Sequence, residues 1–322
     1  SAFLRPLDRA SDSGTIMGES KATASTKNVT PQSGADILVQ CLVNEGVDVV
    51  FAYPGRASMP IHQALTRFQD RVRTVLPLHE QGGGFMAQGY ARTTGKVGVC
   101  MATSGPGATN LVTGLATAMM DSVGIVAITG QVSRGSIGTD AFQETDVTGV
   151  TLPVTKHNYL VMSAAEIAHT VHEAFYIAKS GRPGPVLIDI PKDVQTEKAE
   201  FNPETYPPKL KLPGYQVAKN ATESELLAAV TMIREAKKPL ILAGHGIMMS
   251  GAVQELRDLA ELSGIPVTLT LLGKGALPEN HPLCLGMMGM HGHAACNNAI
   301  QEADLIIALG MRFDDRVTGN LK

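Results

Sequence analysis

The chain has 322 residues, of which 44% are hydrophobic and 18% are charged, with 33 glycines and a formal charge of −3. This length predicts two domains or one large α/β domain, and the lack of a basic stripe with interleaved aromatic residues argues against a nucleic-acid-binding protein. No apolar run approaches the roughly 20 residues that cross a bilayer, so we expect a soluble protein with no membrane partner.

The first 34 residues are rich in Ser, Thr, Ala and Gly and show little periodicity. We interpret residues 1–34 as a disordered lead-in. The first residue is not Met, which fits a processed or trimmed terminus. A transit peptide is the alternative, although Asp8, Asp12 and Glu19 would be unusual in one.

Strand-like and helix-like patterns alternate from residue 35 to residue 195. The strand-like segments are DVVFAYPG, RTVLPL, VGVCMATSG, GIVAITG and PVLIDI. This rhythm predicts an α/β fold with a doubly wound parallel sheet and helices on both faces.

A second α/β series begins after a stretch with the composition of a linker. Residues 196–220 carry four prolines and mixed charge without a period. Residues 221–322 then contain three strand-like segments, PLILAGHG, IPVTLT and DLIIALG. Three strands are few for an independent sheet, so we expect this second doubly wound domain to be incomplete.

The cysteines and histidines predict neither disulfides nor a metal site. Cys41, Cys100, Cys284 and Cys296 lack CxxC spacing and mostly lie in apolar runs, which favours buried free thiols in a reducing compartment. The nine histidines show no metal-binding spacing. We therefore predict no metal ligand within these 322 residues.

Glu80 follows an apolar run and precedes three glycines in the stretch VLPLHEQGGGFMAQGYAR. A carboxylate at a helix start is stabilised by the helix dipole, which is the structural explanation. Each glycine costs about 1 kcal/mol relative to Ala in a helix. The functional explanation is that another group approaches the backbone closely at these glycines. Gly84, Ala87 and Ala91 also form a stripe of small residues suited to contact with a partner helix or subunit.

Three loops could bind phosphate or another ligand. SGPGATN joins a strand to a helix, LAGHGIM resembles half of a dinucleotide-binding turn, and RFDDRVTG follows a strand at the edge where doubly wound folds bind ligands. Taken singly, the first two are more often plain turns, and the third could be a surface ion-pair cluster.

Seven segments in a fixed order point to one family: FAYPGRASMPIHQALTR, LPLHEQGGGFMAQGYAR, MATSGPGATNLVTGLA, AITGQVSRGSIGTDAFQET, TKHNYLV, SGRPGPVLIDIPKDVQ and GMRFDDRVTG. Together they resemble the catalytic subunit of acetohydroxyacid synthase (acetolactate synthase), from about residue 35 to the end. The resemblance implies a thiamine-diphosphate-dependent enzyme of three α/β domains. Residues 35–195 would be the pyrimidine-binding domain and residues 221–322 part of the central domain that contacts FAD.

The resemblance implies a transferase that condenses two 2-keto acids, pyruvate with pyruvate or 2-ketobutyrate, with loss of CO₂. This is the first common step of branched-chain amino-acid synthesis, of isoleucine, valine and leucine. The family's cofactors are thiamine diphosphate, FAD and Mg²⁺, and the Mg²⁺ ligands would lie in a third domain outside these residues, so this chain alone would be inactive. A homodimer or homotetramer, a small regulatory subunit, and a cytoplasmic or plastid-stroma location are also implied.

The resemblance assigns roles by motif. Glu80, Gln143 and Lys192 would be catalytic, with Glu80 bonded to the aminopyrimidine ring and Gly55 and Gln143 also contacting thiamine diphosphate. Ser122, Phe142 and Lys192 would line the substrate channel. The FAD contacts would be Arg182, Gly244, Gly246, Thr270, Leu271, Met288, Gly289, Met290, His291, Gly310, Met311, Arg312, Phe313, Asp314 and Asp315.

One departure from the family motifs is Arg56, where the family usually has glycine. We expect its guanidinium to point to solvent or to an acidic partner, because an unpaired buried charge costs several kcal/mol. Gly124, His245 and Ser133 also depart from the family pattern. A non-catalytic or assembly paralogue, or another thiamine-diphosphate decarboxylase or carboligase, remains open.

Overall fold

A computed structural model describes residues 30–217 and 220–319. Most of the predicted lead-in, residues 1–29, lies outside the described residues. The described chain forms two compact units, one of residues 30–88, 97–179 and 183–210 and the other of residues 89–96, 180–182, 211–217 and 220–319.

The first unit contains a six-stranded parallel sheet. Its strands in chain order, with a separate short pair, are β1 (Gln32–Ser33), β2 (Val49–Ala52), β3 (Arg73–Val75), β4 (Gly98–Ala102), β5 (Ile125–Gln131), β6 (His157–Leu160), β7 (Val186–Pro191) and β8 (Lys198–Ala199). The order across the sheet is β3-β2-β4-β5-β7-β6, while β1 pairs with β8 in an antiparallel ladder. The predicted parallel α/β architecture is confirmed.

The helices that begin in this unit are α1 (Gly34–Asn44), α2 (Met59–Arg67), α3 (Glu80–Thr94), α4 (Pro106–Thr109), α5 (Val112–Asp121), α6 (Val147–Thr151), α7 (Ile167–Lys179) and α8 (Lys192–Thr196). Short 3₁₀ turns occupy Arg134–Ser136, Leu152–Val154, Ala164–Glu166 and Pro203–Thr205. The three central strands β4, β5 and β7 are buried along their whole length, because helices cover both faces. Their largely apolar sequences are the consequence.

The second unit has four parallel strands in the order β11-β10-β9-β12. They are β9 (Pro239–Ala243), β10 (Val267–Leu269), β11 (Cys284–Met287) and β12 (Leu305–Leu309), and the helices are α9 (Glu223–Glu235), α10 (His245–Met249), α11 (Val253–Ser263), α12 (Ala294–Glu302) and α13 (Asp315–Thr318). A 3₁₀ turn covers Leu271–Gly273. A capping box between Thr222 and Glu225 starts α9.

The structure differs from the sequence-based expectation at several elements. Strands β6 and β11 were not predicted, and the strand predicted to reach Leu78 ends at Val75, with Leu78 fully exposed. Gln32 and Ser33 form β1 within the predicted lead-in. Within the predicted linker, residues 198–199 form β8.

The four cysteines are free thiols, and Cys41, Cys100 and Cys296 are buried, as expected. Burial raises the pKa of the Cys41 thiol strongly and that of Cys100 to about 12. Among the described helices, none combines the length and apolar character needed to cross a bilayer.

Candidate functional site

Glu80 is the first residue of α3 and lies beside the turn that follows β4. Its Oε2 accepts a hydrogen bond of 3.0 Å from the side-chain amide of Asn110. A side-chain carbon at Gly107 would lie 3.2 Å from Oε1, so only glycine leaves that oxygen uncrowded. No basic side chain of the described residues pairs with Glu80, which leaves a half-buried carboxylate with one oriented oxygen and one open oxygen.

The glycines after Glu80 are explained in part by packing inside the chain. A side-chain carbon at Gly83 would lie 3.2 Å from Pro77, and one at Gly84 would lie 3.5 Å from Gly114 of α5. The small-residue stripe therefore contacts a helix of the same chain at Gly84. A side chain at Gly82 would meet no atom within 4 Å, so packing does not explain that glycine.

The turn from Ser104 to Asn110 also contacts the loop that carries Gln143. Gly105 has φ +57°, and a side-chain carbon there would lie 2.6 Å from the carbonyl oxygen of Gln143. Gln143 itself has φ +59°, a conformation that non-glycine residues adopt at a cost and mostly at sites where the surroundings impose it. The two loops thus fix each other's backbone.

A cavity of about 450 Å³ opens between these loops and the carboxyl ends of β5 and β7. Its lining includes Gln143, Phe142 and Lys192, three of the residues assigned from the family resemblance, together with Arg56 and Ser104. Phe142 is 77% exposed, so its ring forms part of the cavity mouth. The structure therefore brings together the predicted catalytic and channel residues of this region.

Not every predicted channel residue reaches this cavity. Ser122 ends α5 in the left-handed conformation, with φ 59°, and is not part of the cavity lining. Glu80 is not part of that lining either. The Ser104–Asn110 turn joins the two places, because Ser104 lines the cavity while Asn110 holds Glu80.

A buried polar network supports the Gln143 loop from below. The Gln131 side-chain amide donates to the carbonyl oxygen of Thr145 at 2.8 Å and to Oδ2 of Asp189 at 2.9 Å. Thr129 donates to the other Asp189 oxygen at 2.7 Å. Burial raises the pKa of the Asp189 carboxyl to about 6, against the hydrogen bonds that favour its charged form.

The loop that carries Arg56 is held on both sides. A side-chain carbon at Gly55 would lie 2.3 Å from Cβ of Thr103, and the Ala57 N–H donates to Oγ1 of Thr103 at 3.1 Å. The Ala57 carbonyl accepts from the side-chain amide of Gln195 at 2.7 Å. Arg56 is exposed, as expected, but no carboxylate of the described residues pairs with it.

Most of the residues assigned to FAD lie at the carboxyl ends of the four strands of the second unit. Gly244 follows β9, Thr270 follows β10, Met288 follows β11 and Gly310 follows β12. Because the strands are parallel neighbours, these turns share one edge of the sheet. Arg182 lies on an exposed segment after α7.

The glycines of this edge pack against one another. Side-chain carbons at Gly244 and Gly246 would lie 2.5 and 2.6 Å from backbone atoms of Gly310, which has φ +61°. Close backbone packing is therefore sufficient to explain these glycines. Their assignment to FAD stays a prediction.

The surface above this edge combines ion pairs with exposed apolar groups. Arg312 pairs with Asp314 at 2.9 Å, and the Met290 N–H donates to the Arg316 carbonyl at 2.8 Å. The exposed apolar side chains are Leu271 (69%), Met290 (57%) and Phe313 (64%). Such a surface suits a ligand with one planar apolar part and one anionic part.

Sequence reasoning missed four residues of the first site: Thr103, Asn110, Gln131 and Asp189. Asn110 lies in the quoted SGPGATN segment, and its place at the end of that glycine-containing turn was the one available signal. The other three lie inside apolar strands or at their ends, where a polar residue looks like a plain core position. Only the tertiary contacts show what they hold.

Two family models match the chain. Residues 32–150 match the thiamine pyrophosphate enzyme N-terminal TPP binding domain, and residues 226–322 match the thiamine pyrophosphate enzyme central domain. The site around Glu80 and Gln143 lies in the first match, and the glycine-packed edge lies in the second.

Curated relatives have the same family character. The chain is 55% identical over 294 residues to "Acetolactate synthase, chloroplastic" of Arabidopsis thaliana, covering 91% of this chain and 43% of that protein. It is 52% identical over 302 residues to "Acetolactate synthase" of Mycobacterium leprae (strain TN), covering 93% and 48%. The chain thus spans less than half the length of these curated relatives. With both domain models matched in order, the chain belongs to the thiamine pyrophosphate enzymes, and its similarity to the acetolactate synthases among them is confirmed.

Proposed function

We propose that this chain contributes its two domains to a carboligase that joins two 2-keto acids with loss of CO₂, an acetohydroxyacid synthase of branched-chain amino-acid synthesis. In balanced form, two 2-keto acid anions and one proton give one acetohydroxy acid anion and CO₂. The observation that carries the proposal is Glu80, a half-buried carboxylate without a basic partner among the described residues, oriented by Asn110 beside Gly107. The high identity to acetolactate synthases supports it.

The residues around Glu80 fit the pyrimidine end of thiamine diphosphate. The open Oε1 of Glu80 is available to accept a hydrogen bond from a ring nitrogen, and Gly107 leaves room beside it. Gln143 and Lys192 offer polar groups from the neighbouring cavity. Bound thiamine diphosphate would supply the carbanion stabilisation that 2-keto acid decarboxylation requires. Glu80 would hold the proton exchanged with the ring nitrogen, and the flanking loops would exclude water.

Further cofactors and partners are part of the same proposal. FAD would be held by Arg182 and by the edge of the second sheet, from Gly244 to Asp315, whose exposed apolar groups fit a flavin ring. Mg²⁺ would be bound by residues outside this chain's 322. We propose a homodimer or homotetramer, with a small regulatory subunit as an additional partner, in the cytoplasm or the plastid stroma.

The test is the variant Glu80→Gln in the holoenzyme, prepared with thiamine diphosphate, Mg²⁺ and FAD. This change removes the acid and keeps the shape, so we expect folding to be unchanged and acetohydroxy acid formation to fall by about 10² to 10⁴, the range for a positioned acid or base. Hydrogen/deuterium exchange at C2 of bound thiamine diphosphate, followed by NMR, should slow by a similar factor.

Glu166→Gln is the matched control, because Glu166 is an exposed carboxylate at the start of another helix. It should leave both rates unchanged. Equally fast exchange in the wild type and in Glu80→Gln would reduce Glu80 to a helix-start carboxylate and end the proposal.

A second candidate is a non-catalytic or assembly paralogue of the same fold. Arg56 favours it, because this side chain enters the lining of the cavity where the family usually has glycine. Wild-type holoenzyme that binds thiamine diphosphate but releases no CO₂ from pyruvate would favour this candidate. Another thiamine-diphosphate decarboxylase or carboligase would instead release CO₂ without forming acetolactate.

A further inference from the structure

The cavity beside Gln143 contains two cations that have no anionic partner among the described residues. Arg56 is exposed and Lys192 is half-buried, and neither makes an ion pair or a side-chain hydrogen bond with any described residue. Two like charges that line one cavity of about 450 Å³ raise each other's energy unless an anion lies between them. The cavity therefore favours an anionic ligand.

The acidic residue in the lining does not neutralise these cations, because it is already engaged. Asp193 accepts a hydrogen bond of 3.0 Å from the Arg134 backbone and one of 2.7 Å from Nε of Arg134. Nη2 of Arg134 pairs with Glu197 at 2.7 Å. Desolvation raises the pKa of the Asp193 carboxyl, but the hydrogen bonds and charge of Arg134 outweigh it and hold that pKa below its usual value.

The main chain on each side of Arg56 is fixed, which limits where its side chain can go. Gly55 has no room for a side chain against Thr103, and Ala57 is bonded through its N–H to Thr103 and through its carbonyl to Gln195. A side-chain carbon at Gly130 would lie 2.4 Å from the same Ala57 carbonyl oxygen. The guanidinium is thus a flexible group on a rigid base at the wall of the cavity.

We propose that Arg56, with Lys192, binds the carboxylate of the 2-keto acid substrate, so that Arg56 is a specificity-determining residue of this chain; this inference rests on the proposed function. A guanidinium forms a planar pair of donors that matches a carboxylate, and Lys192 adds a point charge. The exposed ring of Phe142 at the mouth suits the short alkyl part of such an acid. The shared chemistry is a small oxyanion, so inorganic phosphate is the competing source.

The first measurement is pyruvate binding to the protein without thiamine diphosphate, where no turnover occurs, followed by NMR titration. We expect Arg56→Gln to raise the Kd of pyruvate about tenfold, the loss typical of one charge-assisted bond. Arg56→Lys should raise Kd by less than Arg56→Gln does, since it retains the charge but loses the planar pair of donors. The matched control is Arg71→Gln, an exposed arginine outside the cavity, which should not change Kd.

The second arm compares ligands on the wild type. Pyruvate should bind at least about tenfold more tightly than its neutral methyl ester, and this difference should shrink in Arg56→Gln and at high salt. Inorganic phosphate should compete weakly. Competition by phosphate as strong as that by pyruvate would make the cavity a general oxyanion site and overturn the assignment to a 2-keto acid.

The third arm separates this inference from the proposed function. In the holoenzyme, Arg56→Gln should raise KM for pyruvate about tenfold with a smaller change in kcat, because an ion pair already made with the bound substrate affects binding more than turnover. An unchanged Kd and KM in a holoenzyme that forms acetolactate would overturn the role of Arg56 alone. Arg56-dependent pyruvate binding in a protein that forms no acetolactate would overturn the function and leave the binding site.

Discussion

Asp189 is a carboxylate with 1% exposure in the middle of the first sheet. Burial raises its pKa from 3.8 to about 6, so the folded state holds the proton more tightly than the unfolded chain does. Between pH about 4 and about 6 the unfolded chain releases this proton and the folded state keeps it. The contribution of Asp189 to stability therefore falls as the pH rises through this window, by about 3 kcal/mol in total.

We predict that Asp189→Asn removes this dependence. The measurement is the unfolding free energy of the first unit by urea titration, in the wild type and in Asp189→Asn. The wild-type value minus the variant value should fall by about 3 kcal/mol between pH 4 and pH 7. The substitution also replaces one carboxylate oxygen with an NH₂ group. An NH₂ group that faces the Gln131 amide cannot accept its hydrogen bond. The variant should therefore loosen the Thr145 loop at every pH.

Glu144 provides the comparison of opposite sign. Backbone N–H groups of Gly138 and Ala141 lower its pKa, so its contribution to stability is present at neutral pH and is lost as the pH falls. Glu144→Gln should therefore cost stability at pH 7 and much less at pH 3.

Parallel curves of unfolding free energy against pH for the wild type and Asp189→Asn would contradict the argument that burial raises the pKa of Asp189.

The backbones of Gly105 and Gln143 contact each other, and both residues have positive φ. We predict that Gly105→Ala destabilises the first unit by about 2 kcal/mol or more, because an added carbon meets the Gln143 carbonyl at 2.6 Å in addition to the cost of its φ. Gly46→Ala also places a side chain at positive φ, +81°, but with nothing within 4 Å, and should lose only about 1 kcal/mol. Equal losses in the two variants, measured by urea unfolding, would show that the loop contact carries no energy.

At the scale of elements, the apolar character of each segment decided which strands the sequence could predict. The central strands β4, β5 and β7 have neighbours on both sides and helices on both faces, so their sequences are largely apolar runs. Strands β6 and β11 are edge strands with partly exposed residues, and HNYL and CLGM give no such run. These two strands were recognisable only from their pairing, whereas β3 and β12, which are also edge strands, were predicted from RTVLPL and DLIIALG.

The same distinction applies to the site. Glu80, Gln143 and Lys192 were predicted from motifs that resemble a known family, and the structure places Gln143 and Lys192 in one cavity. The Asn110 bond to Glu80 spans 30 positions, and the Gln131 bond to Asp189 spans 58. Local periodicity contains no information about partners at that separation, so these contacts could not be predicted from it.

At the scale of the whole molecule, each unit has its own set of buried apolar side chains. Ile128 of β5 is 1% exposed and Leu269 of β10 is 0% exposed, and the second belongs to a cluster built within its own unit. The sequence-based boundaries, residues 35–195 and 221–322, remain a prediction about how the chain unfolds. Each unit should then lose its structure in its own transition.

We predict that Ile128→Ala lowers the temperature of one thermal transition and that Leu269→Ala lowers the temperature of the other. Each variant should lose roughly 2 to 5 kcal/mol of unfolding free energy, as is typical of a core truncation. Differential scanning calorimetry on the 322-residue chain measures both. Leu262→Ala is the control, because Leu262 is 89% exposed and should shift neither transition. A single transition lowered by both core variants would show that the two units unfold together.

The buried free thiols allow the opening of each unit to be measured separately. Cys41 and Cys100 are enclosed in the first unit and Cys296 in the second, and a thiol sealed from water cannot react with a disulfide reagent until its surroundings open. The labelling rate at each sulfur therefore reports how often that part of the protein opens locally under native conditions. Mass spectrometry of the labelled peptides would read the opening frequency of both units in one unmodified sample.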